Sequence, residues 1–325
     1  MSAPVLFIGL PVILAPLVYW LWQGARLPEA GRRVATTLPV VTVVLLALLA
    51  VGLPLDKPVP WLLGATIHST LTVLGRAFTV EAGSRIAAAF VFSQAALLFL
   101  FTRLANPGRF YLPAALAALG VLAAALFVKP FLFAALFIEV AAALAVFVLG
   151  DEKRPVTRGA LRLLVFLTLG LPFILLSGWL LEGSAASPGD PSFLTRATVF
   201  LSLGFAILLA VVPFHSWMPV VAEQSSPLAA AFVFTVLRVV PVFLMLDFLD
   251  AYDWLGQSTL VYRALTVAGG GMALAGALLA FGQHNLGRLM GYAVMIDVGA
   301  VLLGVGLHSP AGVQSALVTL ALSGL

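Results

Sequence analysis

Four side chains in this sequence could hold a charge or a proton where the surroundings oppose both. Glu139 lies in FLFAALFIEVAAALAVFVL, nine residues past Pro130. Arg238 stands eleven residues past Pro227, and Asp297 eleven past Leu286. At about 1.5 Å of helical rise per residue, all three sit about 13 to 16 Å into apolar runs, near the centre of a hydrocarbon layer about 30 Å thick. A charge there costs at least about 2.5 kcal/mol, so an ionisable group at that depth is a functional hypothesis by default. Three charges at one depth on three helices suggest a polar layer across a bundle. That layer is either an ion pathway or a buried ion pair, Glu139–Arg238 or Asp297–Arg238, that fixes helix register. His215 belongs to PFHSWMP, where Pro213 and Pro219 interrupt another apolar run. Its imidazole either takes a polar role near a water-filled break or hydrogen-bonds the carbonyls freed around Pro213.

The elements that must position these groups follow from composition. Of 325 residues, 62% are hydrophobic and 9% charged, against about 25% charged in an ordinary soluble domain. This describes an all-α polytopic membrane protein. Apolar runs fall near 3–22, 35–54, 84–103, 110–128, 131–150, 160–181, 195–213, 227–249, 260–281 and 286–307, with an eleventh starting at Pro310. They predict about 11 transmembrane helices in one transmembrane domain. Residues 1–83 hold two N-terminal helices and an external loop, 84–249 the central helices, and 260–325 the last ones. Threading the spans puts ten Lys and Arg on the side of the first loop and six on the other, with Arg238 left inside. Positive-inside then places the N-terminus outside.

The connection from Pro54 to Ser84 has β-branched alternation, which predicts either a short external hairpin or an amphipathic stretch on the membrane. The densest charge run, Gly150–Arg162, is a cytoplasmic turn, and Glu182–Ser192 an external loop. Gly269–Gly270–Gly271 and the Gly287/Gly291 pair read as helix-packing positions, and the six tryptophans as interfacial belts. The formal charge of +4 bears on topology and implies no nucleic acid. With no cysteine there is neither thiolate chemistry nor Cys-ligated metal. No pattern for a metal, nucleotide or other cofactor is present, and no polar cluster at an interface marks an enzyme's catalytic site.

PFHSWMP followed by Ser225–Ser226–Pro227 resembles the PxHxWLP…PTPVSA signature of the antiporter-like membrane subunits of respiratory complex I, Mrp-type cation/proton antiporters and membrane-bound hydrogenases. HNLGRLMGYAVMIDVGAVLLGVGL, residues 284–307, resembles a second signature, with Leu286, Arg288, Leu289, Tyr292 and Gly299 in place. The resemblance implies a fold with one broken helix near Pro213 and two inverted five-helix repeats, the second incomplete at Leu325, so that the chain is expected to continue. It implies that Glu139, in F-I-E, matches a proton-relay glutamate, and that Arg238 lies about where the family has lysine. It also implies partners: other membrane subunits of a multisubunit complex in the lipid bilayer, in a prokaryotic inner membrane.

One departure bears on mechanism. The family's broken helix carries a lysine five residues before its proline, and here that position is Leu208. Arginine, with a pKa above about 12, does not exchange protons as lysine does. Two readings follow: an ion-translocation-type subunit of such an assembly, or a non-transporting scaffold paralogue of the same fold.

Overall fold

The computed structural model describes residues 2–23, 29–57, 66–73, 75–105, 107–150, 156–186, 190 and 192–323. Among them, eight helices are long and apolar enough to cross a membrane, and three shorter apolar helices join them: Tyr111–Phe127, Ser192–Leu208 and Pro310–Leu322. Trp61, Lys153 and Arg154 lie outside the described residues, as do 187–189 of the Glu182–Ser192 loop. The chain forms two compact units.

The first unit joins Met1–Val156 to Ser226–Val240. Its helices are α1 (Leu10–Gln23, after a π-turn at Val5–Gly9), α2 (Glu29–Gly52), α3 (Ala82–Ala105), α4 (Tyr111–Phe127) and α5 (Ala134–Leu149). α4 is built of alanine and leucine and is almost wholly buried. Small side chains let helices close on it: a Cβ at Gly120 would stand 2.7 Å from the Ile8 carbonyl oxygen and 2.6 Å from a Val12 methyl. In a bilayer such dispersion contacts replace the hydrophobic effect as the source of cohesion. Arg85, at the start of α3, donates from its guanidinium to the Ala50 and Val51 carbonyls, each at 2.6 Å. Those carbonyls have no intrahelical donor at the end of α2, and a cation also suits the negative end of the helix dipole.

The Pro54–Ser84 connection contains a hairpin, which decides between the two readings of that stretch. β1 (Thr70–Val73) and β2 (Arg76–Thr79) pair antiparallel with Thr70 opposite Thr79. β3 (Val128–Lys129) adds to β2, so the short α4–α5 link becomes a third strand. Lys129 reaches Glu81 at 2.9 Å, and the Arg76 guanidinium lies 3.8 Å over the Phe133 ring. The hairpin thereby anchors the residues that lead into α5.

The second unit joins Thr157–Ser225 to Pro241–Leu325. It holds α6 (Arg158–Ala186), α7 (Ser192–Leu208), α8 (Met218–Gln224), α12 (Thr259–Phe281), α13 (Leu286–Gly306) and α14 (Pro310–Leu322). α12 and α13 meet where a Cβ at Gly269 would stand 2.6 Å from the Gly299 carbonyl oxygen. Only Gly269 of the triplet works in this way. Gly270 and Gly271 meet nothing within 4 Å, which corrects the reading of all three as packing positions. Trp217 is buried at 3% exposure, so it is no belt residue, whereas Trp20 and Trp179 are two-thirds exposed.

One helix runs through both units: α9 (Pro227–Ala231), a π-turn (Phe232–Leu237) and α10 (Arg238–Ala251), after which α11 (Asp253–Gly256) leads to α12. The unit boundary falls at Val240–Pro241.

Candidate functional site

The broken helix ends earlier than its prolines suggest. α7 stops at Leu208, five residues before Pro213, because Ala210 takes a left-handed conformation with φ of 55°. The Ala210 N–H then bonds the Ile207 carbonyl at 3.1 Å, and the Val211 N–H bonds the Ala206 carbonyl at 2.8 Å. This pair of reversed bonds is the Schellman ending, normally built on glycine, and it satisfies carbonyls that the last helical turn would leave open. Backbone N–H groups thus serve these two carbonyls, while His215 donates to the carbonyl of Pro213, one of the two roles expected of its imidazole. Pro213 falls in the linking turn, and Pro219 in the first turn of α8, where its missing N–H costs nothing. Between them, residues Phe214–Trp217 form a single 3-10 turn. His215 is half-buried against the Pro213 backbone, while Ser216 is exposed.

The surroundings of this break are apolar. Leu208 is 4% exposed and fills the space beside Gly170, 3.2 Å from where a Cβ would stand. A cavity of about 120 Å³ opens nearby, lined by Phe205, Leu209, Met245, Phe248 and Ala268, with Ser202 as its hydroxyl.

The first unit is different. α5 packs against α9 and against the π-turn, and so does α3. Glu139 lies near the middle of the span Phe131–Leu149, half-buried and with Oε2 wholly enclosed. Arg238 follows directly on the π-turn at 5% exposure, near the middle of Pro227–Ala251. Its N–H bonds the Val233 carbonyl, five residues back. Pro241 offers a physical reason for the widened turn, since it has no N–H to give the Leu237 carbonyl and its ring crowds that group. Buried polar residues share this region: Gln94 on α3, Thr235 on the π-turn, and Tyr111, whose hydroxyl donates to the Leu228 carbonyl at 3.5 Å. Glu139 and Arg238 therefore lie in one unit, on segments that pack together. His215 and Asp297 lie in the other, Asp297 half-buried midway along α13.

Residues 181–325 match the family model for the membrane part of NADH:quinone oxidoreductase and Mrp antiporters. NADH-quinone oxidoreductase subunit N of Pelagibacter ubique is 33% identical over 132 residues, covering 38% of this chain and 26% of that one. Formate hydrogenlyase subunit 3 of Escherichia coli is 35% identical over 132 residues, covering 38% and 20%. The Mrp complex of Dietzia sp. DQ12-45-1b superposes with a TM-score of 0.77 at 16% identity, over 99% of this chain and 36% of that one. Over residues 181–325 the chain is similar to the antiporter-like membrane subunits, and its fold is theirs. Its aligned part spans about a quarter of the length of these curated relatives.

The broken α7, Glu139 and Arg238 are the features that the resemblance singled out, the first through PFHSWMP, the second through F-I-E and the third through its place after the break. Three others carry no such signal in the sequence. Ala210 is an unmarked left-handed residue; the π-turn is foreshadowed only by Pro241. The third is a contact between Glu223 and Arg288, 65 residues apart, for which no local pattern exists.

Proposed function

We propose that this chain is an ion-translocation-type subunit, moving protons, of a complex I-like, Mrp-like or hydrogenase-like membrane assembly. Glu139 is its titrating carboxylate, and Arg238 a fixed positive charge that lowers the cost of ionising Glu139. The observation that carries the reading is the enclosed Glu139 Oε2 and the 5%-exposed Arg238 on packed segments at the middle of their spans. A charge at that depth is costly, so two ionisable groups in one unit favour a functional role over an accidental one. Asp297 and His215 extend the path in the second unit. The test is proton flux in liposomes holding the whole assembly: Glu139→Gln abolishes flux while the complex still assembles, and normal flux in that variant ends the reading.

The scaffold reading is favoured by one observation, Leu208 in an apolar setting where the family's resemblance calls for lysine. In that case Glu139→Gln leaves the assembly's activity unchanged. In both readings the partners are other membrane subunits, and the membrane is a prokaryotic inner membrane with the N-terminus outside. A cysteine at position 156, exposed on this cysteine-free background, labels from the cytoplasmic side. Labelling from the outside alone reverses the topology.

A further inference from the structure

The segment beyond the break is held by more than its own helix. α8 is seven residues long and far too short to be stable alone. It lies between α6 and α13, and each presents glycine where it touches α8. A Cβ at Gly159 of α6 would stand 2.8 Å from Val221 Cα and N. A Cβ at Gly287 of α13 would stand 2.8 Å from Glu223 Cα, and one at Gly291 would overlap Pro219 Cα. Real side chains do not come so near a backbone, so α8 sits in a socket that only glycines allow. Contacts this close leave α8 little room to shift without losing dispersion on both sides.

Polar bonds close the socket at its far end. Glu223 Oε2 takes a hydrogen bond from Arg288 Nε at 2.8 Å. Glu223 Oε1 takes another from Asn285 Nδ2 at 3.3 Å, and Asn285 Oδ1 in turn caps α13 by accepting from the Arg288 N–H. On the opposite side, Gln224 Oε1 accepts from the Gly159 N–H at 3.1 Å, one of the open donors at the start of α6. Two successive residues of α8 thus tie it to two different helices. The link before it is held differently, by backbone bonds and the Phe166–Phe214 ring contact: Leu209 and Ala210 are buried, whereas Val212 and Pro213 are exposed.

We infer that α8 is a fixed post of the broken helix, that Glu223 is the positioning residue locking it to α13, and that conformational change at the break is confined to Leu209–Phe214. The motion it assigns rests on the translocation reading, but the lock itself does not. Hydrogen exchange of the whole chain in bilayers tests the lock. Amides of Val220–Gln224 exchange as slowly as those of α13 in the intact protein. Glu223→Ala speeds them about tenfold, the scale of a partly solvated charged hydrogen bond. The charge swap Glu223→Arg with Arg288→Glu restores slow exchange, which a merely structural loss of packing would not do. Exchange as fast as that of Leu209–Phe214 in the intact protein, or no change in Glu223→Ala, overturns the inference.

A second measurement asks which side moves. Glu223→Cys with Arg288→Cys is bridged by a short bis-methanethiosulfonate reagent, on a background that has no other cysteine. With α8 static, the bridged protein keeps wild-type proton flux. Loss of flux on bridging makes α8 a moving gate and overturns the inference. If the unaltered assembly carries no flux, the translocation reading falls, and the exchange experiment alone decides the lock.

Discussion

Glu139 and Arg238 in the first unit stand against Leu208, Phe205 and Ile207 at the end of α7 in the second. In one place Arg238 is buried and Glu139 half-buried, with its Oε2 enclosed, among alanine-rich helices and a widened turn. In the other, a helix is broken, which is the costly step, yet no ionisable side chain stands at its end. Broken backbone at membrane depth is tolerated where protein or water covers it, and here a Schellman ending removes part of the cost without any side chain. The contrast shows that a break and a charge are separable features. A chain can keep the backbone of an ion path while changing the residue that would use it.

Removing the charge that the first unit retains is the severest way to break the comparison. With Glu139 and Arg238 paired as proposed, Arg238→Ala strands the carboxylate in a low-dielectric interior and destabilises the chain by about 3–5 kcal/mol. Thermal unfolding in detergent should show a large fall in Tm, partly recovered by adding Glu139→Gln. An unchanged Tm would mean that the two residues are energetically independent. The reverse experiment adds charge to the second unit. Leu208→Lys, beside Gly170 and at 4% exposure, costs about 2.5–3.5 kcal/mol if the site is as apolar as it looks. A Leu208→Lys protein as stable as the original would show that water reaches the end of α7, and would blur the distinction drawn here. The smallest effect concerns the backbone alone. Ala210→Gly relieves a left-handed conformation that disfavours any Cβ, for a net gain of about 0.5–1 kcal/mol after the added chain entropy of glycine. The readout is a modest rise in Tm with flux unaltered.

Much of the fold was legible, because hydrocarbon imposes a simple rule on sequence. Runs of apolar residues had to be helices, Pro213 and Pro219 had to mark a break, and buried charges stood out against them. The hairpin was one of two readings of β-branched alternation at Thr70–Thr79, and it was decided by a partner, Val128–Lys129, that alternation alone does not reveal. The break itself was placed five residues late, since proline advertises itself and a left-handed alanine does not. Glu139 and Arg238 were legible as candidates, but their proximity depends on how α5 meets the π-turn. The Glu223–Arg288 contact was not legible at all, because no local pattern brings α8 beside α13.

The π-turn at Phe232–Leu237 carries one residue more than an α-helical path would need. In the language of insertions and deletions, it is a length mutation stored inside a helix. Deleting one residue there would let the backbone relax to ordinary α geometry. Everything after it would then turn by about 100° and shift by about 1.5 Å. Arg238 would be carried off its present helix face, although both residues of the proposed pair would still be present. Related chains compared residue by residue would register only a gap of one. The spacing between Pro227 and Arg238 is therefore as much a part of this site as the identity of either end, and a substitution scan that preserves length would never detect it.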